Sequence, residues 1–78
     1  MSLVLTNHVR GRMTDRNISV GQVIEALNKG MPRKAQGNAY LVQCHVAGET
    51  VYPLRVVFVP ENGNIVVKTA VWKRKPDV

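Results

Sequence analysis

His8, Arg12 and Arg16 stand four residues apart in the stretch TNHVRGRMTDRN (6–17). On an α-helix turning about 100° per residue, that spacing stacks an imidazole and two guanidinium groups in one column. Val9 and Met13 form the adjoining column, so the basic groups lie along the edge where the helix leaves the core. Such a set suits metal-free cleavage of RNA, which needs a base for the 2′-hydroxyl proton, cations for the charged phosphorane and an acid for the leaving oxygen. An imidazole titrates near ~6.5 and can fill either proton role. Guanidinium groups can clamp a phosphate through paired hydrogen bonds. The alternative is an ordinary solvated helix face. What separates the two is whether the column shares a groove with the end of the chain, where Lys68, Thr69, Lys73 and Arg74 are the candidate RNA-binding residues. Lys68 and Thr69 are strand neighbours that should point to opposite faces, so at most one of them is expected to join the site.

Other chemistries find little support. His8 and His45 are the only histidines and Cys44 the only cysteine, and the carboxylates lack ligand spacing, so neither a metal nor a cofactor is expected. Cys44 and His45 diverge on a strand and make a poor nucleophile–base pair, so Cys44 is expected to fill the core and His45 to be structural or exposed. No glycine loop of the phosphate-cradling kind is present. Asp15, Glu25, Glu49, Glu61 and Asp77 fall on different elements, which argues against paired-carboxylate catalysis. A helix-turn-helix would carry its charge on the second helix; here the second helix offers little beyond Gln22, Asn28 and Lys29. Trp72 and Tyr40 are capable of stacking on bases, but packing at the core or the sheet edge is the expected role of each.

The elements that must position these residues follow from local signals. Thr6 or Asn7 can cap the first helix, Leu3 and Leu5 precede it as a short strand or staple, and Asn17 suits the left-handed residue that ends it. Ser19 with Gln22 makes a capping box for a second helix. Its apolar stripe is expected to be Val20, Val23, Ile24 and Leu27; Lys29 sits in its last turn, Gly30 closes it, and Pro32 prevents its continuation. Three β-rich runs follow, AYLVQCHVA (39–47), TVYPLRVVFV (50–59) and NIVVKTAVWK (64–73). Gly48-Glu49 and Pro60-Glu61-Asn62-Gly63 are the expected turns, the second a type I′ hairpin at Asn-Gly. In the middle run Tyr52, Leu54, Val56 and Phe58 share one face and Val51, Arg55, Val57 and Val59 the other, which suggests a strand covered on more than one side. Pro53 cannot donate to a ladder and marks either a late start of pairing or a bulge. The tail KRKPDV adds Lys73, Arg74 and Lys75. The fold class predicted is α+β, with two N-terminal helices packed on one face of a three- to four-stranded antiparallel sheet.

Seventy-eight residues make a single domain, 1–78, near the lower size limit for one self-sufficient core. The 45% apolar content is that of a globular chain. Eleven Lys and Arg against five Asp and Glu give a formal charge of +6, which favours a polyanionic partner, nucleic acid or an acidic protein. A single cysteine rules out an internal disulfide. No apolar run approaches the ~18–20 residues of a membrane span, and no leader pattern opens the chain, so a cytoplasmic protein is expected.

The order His8, Arg12-Met13, Arg16, Ile18-Ser19, the amphipathic run Val20 to Leu27 and a last strand Ile65 to Thr69 resembles a small domain family related to the RelE-like toxins. The resemblance runs from His8 to Trp72 and is more specific in its helical part than in its strands. It implies an α+β fold shared with bacterial ribonucleases that cleave messenger RNA, often on the ribosome, and that antitoxin proteins silence. It carries His8, Arg12 and Arg16 over as site residues. The C-terminal catalytic tyrosine common in those nucleases has no counterpart in KRKPDV. Two functional expectations follow: a metal-independent ribonuclease toxin with RNA as substrate and an acidic antitoxin as partner, or a non-catalytic module that uses the same basic face for RNA or an acidic protein.

Overall fold

The computed structural model describes residues 2–74; Lys75 and the remainder of the tail lie outside the described residues. The order of elements is β1 (Leu3–Leu5), α1 (Asn7–Asp15), α2 (Val20–Lys29), β2 (Arg33–Lys34), β3 (Tyr40–Val46), β4 (Glu49–Glu61) and β5 (Asn64–Trp72).

Both helices begin where a side chain can satisfy their free amides. The Thr6 hydroxyl accepts from the Val9 amide at 3.2 Å, and Ser19 and Gln22 bond reciprocally to each other's backbone N–H, a complete capping box. Asn17 takes the left-handed conformation, φ 57°, and turns the chain sharply between the helices. Gly30 ends α2 for a different reason than backbone freedom. Its φ is an ordinary −77°, but a β-carbon there would lie 2.9 Å from the Ala26 carbonyl oxygen and 3.1 Å from Val42 Cβ.

The strands form one mixed five-stranded sheet in the order β1-β5-β4-β3-β2, with β1 parallel to β5 and the other pairs antiparallel. The expected three- to four-stranded antiparallel sheet is therefore corrected at both edges. Leu3–Leu5 pairs with residues 65–67 across most of the chain, and Arg33–Lys34 adds a two-residue edge beside Tyr40 and Leu41. The β4–β5 hairpin closes through Asn62 and Gly63, both at positive φ (50° and 79°), as a type I′ turn requires. The β3–β4 turn occupies Ala47 and Gly48, one residue earlier than expected, since Glu49 already pairs with Val46. A register shift between Cys44 and Val46 accompanies that turn, opposite the stretch that contains Pro53.

One apolar layer joins the helices to the sheet. Val9, Met13, Ile18, Val23 and Ala26 pack against Val42, Val46, Leu54, Val56, Phe58, Val67 and Ala70. The stripe of α2 is rotated from the expected one. Val23 and Ala26 are fully buried, Leu27 is half-buried, and Val20 and Ile24 stand 40% and 45% exposed. The small Ala26 lets α2 approach the sheet closely, and Val20 and Ile24 fall to its outer side. β4 is covered mainly on one side: Leu54, Val56 and Phe58 face the helices, whereas on the other face Val59 is buried, Arg55 and Val57 are half-buried and Val51 is 66% exposed. Cys44 and Tyr40 lie half-buried against the core, with Tyr40 stacked on Phe58 at 5.8 Å, and His45 is exposed.

Candidate functional site

Pairing of β1 with β5 sets the site. Leu5 lies opposite Val67, so the chain leaves the sheet edge at Thr6 and begins α1 beside Lys68. Val9 and Met13 bury the inner side of α1, which leaves the column His8, Arg12 and Arg16 at the seam between helix and strand. The expected grouping is realised. His8, Arg12 and Arg16 line one cleft of about 120 Å³ together with Val9, Lys68, Thr69 and Ala70. Arg10 is drawn the other way, its Nε donating to the Leu5 carbonyl at 3.3 Å.

Both Lys68 and Thr69 line the cleft, which corrects the expectation that only one would. Val57 pairs with Thr69 and the next residue, Phe58, pairs with Val67, so Lys68 is an extra residue on β5. This β-bulge breaks the alternation of the strand. Ile65 and Val67 face the core before it, Ala70 and Trp72 after it. The polar pair between them is turned toward α1. Bulges of this kind re-aim side chains next to functional sites.

Arg16 is the anchored member. Its Nη1 donates to the Ala70 carbonyl at 3.0 Å, and Trp72 Nε1 donates to the Arg16 carbonyl at 2.6 Å. These two bonds tie the end of α1 to β5 and hold the guanidinium in place with most of its donors unspent. Among the described residues the side chains of His8, Arg12, Lys68 and Thr69 make no hydrogen bond or ion pair. No carboxylate among the described residues lines the cleft. The ion pair formed among the described residues, Lys29 with Glu25 at 2.8 Å, lies on α2. A cleft holding two guanidinium groups, an ammonium and an imidazole, with no countercharge among the described residues, is suited to an anion with several oxygens, and phosphate matches the fork geometry of arginine.

Lys73 and Arg74 are not in this cleft. The Lys73 amide donates to the Pro53 carbonyl at 2.8 Å, and the Arg74 guanidinium sits 5.3 Å from the centre of the Tyr52 ring. Arg74 instead lines a second, wider cleft of about 430 Å³ with Asp15, Arg16, Asn17, Val71 and Trp72. Arg16 belongs to both. Asp15, Asn17 and Trp72 were missed as a group because they come from opposite ends of the chain; the helix-ending asparagine and the lone tryptophan were each legible singly. Among the described residues no group of three His, Cys, Asp or Glu side chains is arranged to hold a metal ion, and no helix is long and apolar enough to cross a membrane.

No curated protein and no solved structure matches the chain. A family model does match, over residues 5–72, which takes in the last residue of β1, both helices, the bulge and Trp72. The protein therefore belongs to the family described as "Domain of unknown function (DUF4258)".

Proposed function

We propose that this protein acts on RNA, as a metal-independent endoribonuclease related to the RelE-like toxins. The observation that carries the reading is the single cleft in which His8, Arg12 and Arg16 meet Lys68 and Thr69. In the proposed reaction neutral His8 takes the proton of a 2′-hydroxyl and the 2′-oxygen attacks the adjoining phosphorus. The P–O5′ bond then breaks, leaving a 2′,3′-cyclic phosphate on one fragment and a 5′-hydroxyl on the other. Lys68 or water supplies the proton for the leaving oxygen. Arg12 and Arg16 bind the phosphate and stabilise the charge of the phosphorane, with Arg16 pre-set by its bond to Ala70. Thr69 adds a hydroxyl to the same wall. The net charge of +6 suits a polyanionic substrate such as RNA and an acidic partner protein such as an antitoxin.

The test is cleavage of end-labelled RNA by purified protein in the presence of a chelator. Wild type should yield fragments with cyclic phosphate ends. His8→Ala should lose at least about 100-fold in rate with little change in RNA affinity, the scale of one lost proton-transfer group. Induced expression in a bacterial host should slow growth and degrade RNA for wild type only. If wild type binds RNA in a salt-dependent way but never cuts it, the protein is the non-catalytic module instead. If it neither binds nor cuts, the RNA-directed reading is wrong.

A further inference from the structure

We propose that the second cleft, lined by Asp15, Arg16, Asn17, Val71, Trp72 and Arg74, is a nucleobase subsite selective for guanine. The proposal rests on the RNA-directed reading of the neighbouring cleft and assigns the base flanking the bound phosphate. The two clefts meet at Arg16, so a strand whose phosphate is held by that guanidinium has a base within reach of the Trp72 wall.

The wall is pre-organised for stacking. The indole N–H of Trp72 is spent on the Arg16 carbonyl at 2.6 Å, which fixes the ring. One side of the half-buried ring packs against the core, and the ring borders the cleft. A fixed aromatic face beside a cationic backbone site is the usual platform for an unpaired base.

Asp15 supplies the selectivity. It is the last residue of α1, where the helix dipole disfavours an anion. Among the described residues it makes no ion pair, although Arg16 and Arg74 line the same cleft. Helix stability does not account for this carboxylate. Guanine alone presents two adjacent N–H donors on its Watson–Crick edge, at N1 and N2, which match two carboxylate oxygens. That pairing leaves O6 as an acceptor, and the same cleft carries donors in the Asn17 amide and Arg74. Adenine and cytosine each set one donor beside a ring nitrogen acceptor, which would face the carboxylate lone pairs. Uracil sets one donor between two carbonyls.

The chain has one tryptophan, so quenching of its fluorescence reads this cleft directly. The probes are 2′-O-methyl tetranucleotides, UUGU, UUAU, UUCU and UUUU, which cannot be cut because the attacking oxygen is blocked. Wild type should bind UUGU at least about tenfold more tightly than the others, with saturable quenching, as a paired base contact predicts. Asp15→Asn presents one acceptor and one donor, a pair that every base can match on its Watson–Crick edge, and should bring binding of UUGU to within about threefold of the other probes, while affinity for UUUU stays within about twofold. A structural role for Asp15 would change no such preference. Equal binding of all four probes, or a guanine preference that survives Asp15→Asn, overturns the subsite and leaves the RNA-directed reading standing. Failure of every probe to bind overturns both.

Discussion

Replacing Trp72 by phenylalanine tests whether the end of α1 is held to the sheet as described. The substitution keeps an aromatic ring but removes the donor that the Arg16 carbonyl accepts at 2.6 Å. That carbonyl lies beyond the last helical bond of α1, so losing its partner costs about 1–2 kcal/mol. The smaller ring buries less apolar surface, for a further loss of about 0.5–1 kcal/mol. A chain of this size has a total stability of roughly 4–12 kcal/mol, so the melting temperature should fall on the order of 10 °C. Far-ultraviolet circular dichroism followed through a thermal melt measures the shift without needing the tryptophan itself. Arg16→Met provides the second corner of a cycle, since it deletes the guanidinium bond to Ala70 at 3.0 Å and leaves the main-chain carbonyl in place. The two bonds brace the same junction between α1 and β5, so the double variant should depart from additivity by at least about 0.5 kcal/mol. If Trp72→Phe melts within about 2 °C of wild type, or the two losses simply add, the junction is not braced in this way.

Glycine-to-alanine changes should have opposite signs at two positions when followed by urea unfolding. Gly11→Ala should stabilise by about 0.5–1 kcal/mol, since a methyl group there meets nothing within 4 Å and the helix gains propensity. Gly30→Ala should destabilise by about 1–3 kcal/mol, because its β-carbon would meet the Ala26 carbonyl oxygen at 2.9 Å and Val42 Cβ at 3.1 Å, atoms that cannot swing aside. The link between α2 and the β3–β4 turn should weaken at both pH extremes. Lys29, and after it the Ala47 amide, hold the Glu25 carboxyl below the usual carboxylate range, and Glu25 in turn holds the Lys29 ammonium above its ordinary value. Glu25 therefore contributes fully above its unfolded pKa and loses that contribution as pH falls through the lowered one. Lys29 contributes fully below its unfolded pKa and loses that contribution as pH rises through the raised one. Amide exchange at Ala47, bonded to Glu25 at 3.1 Å, should show the acid limb, and Glu25→Gln should abolish it. Deleting Lys68 should leave a folded domain with a regular β4–β5 ladder, seen as a cooperative melt with unchanged circular dichroism, but without RNA cleavage. Retained cleavage would mean that the bulge does not shape the site.

Local chemistry made much of the helical half readable. The Thr6 cap, the Ser19–Gln22 box, the left-handed Asn17 and the Asn62-Gly63 turn each depend on a few neighbouring residues, and each appears in the structure. The column His8, Arg12 and Arg16 was legible for the same reason, since helical period alone fixes it. Leu3–Leu5 gave no sign of joining β5 in parallel, because that pairing depends on residues some sixty positions away. The exposed Val20 and Ile24 show the limit of a stripe read by hydrophobicity. Four apolar side chains share that face, but the helix settles on Val23 and Ala26, where the smaller residue permits closer packing.

Strict alternation through NIVVKTAVW puts Ile65, Val67, Thr69 and Val71 on one face and Val66, Lys68, Ala70 and Trp72 on the other. Either face then sends a polar residue inward among apolar ones. The conflict has one economical resolution, a change of parity at the two consecutive polar residues, and the register shows that change at Lys68. No glycine or proline marks it, so turn chemistry offered no hint. The signal lay in the strand's own pattern: Ile65 and Val67 keep one phase, Ala70 and Trp72 keep the other, and Lys68-Thr69 is where they meet. A regular strand would have sent Lys68 and Thr69 to opposite faces and left the basic column of α1 facing a single polar side chain. By spending one residue outside the ladder, β5 turns both toward the column and still buries Val67 and Ala70. The irregularity that hid the second half of the cleft from the sequence is thus the feature that builds it.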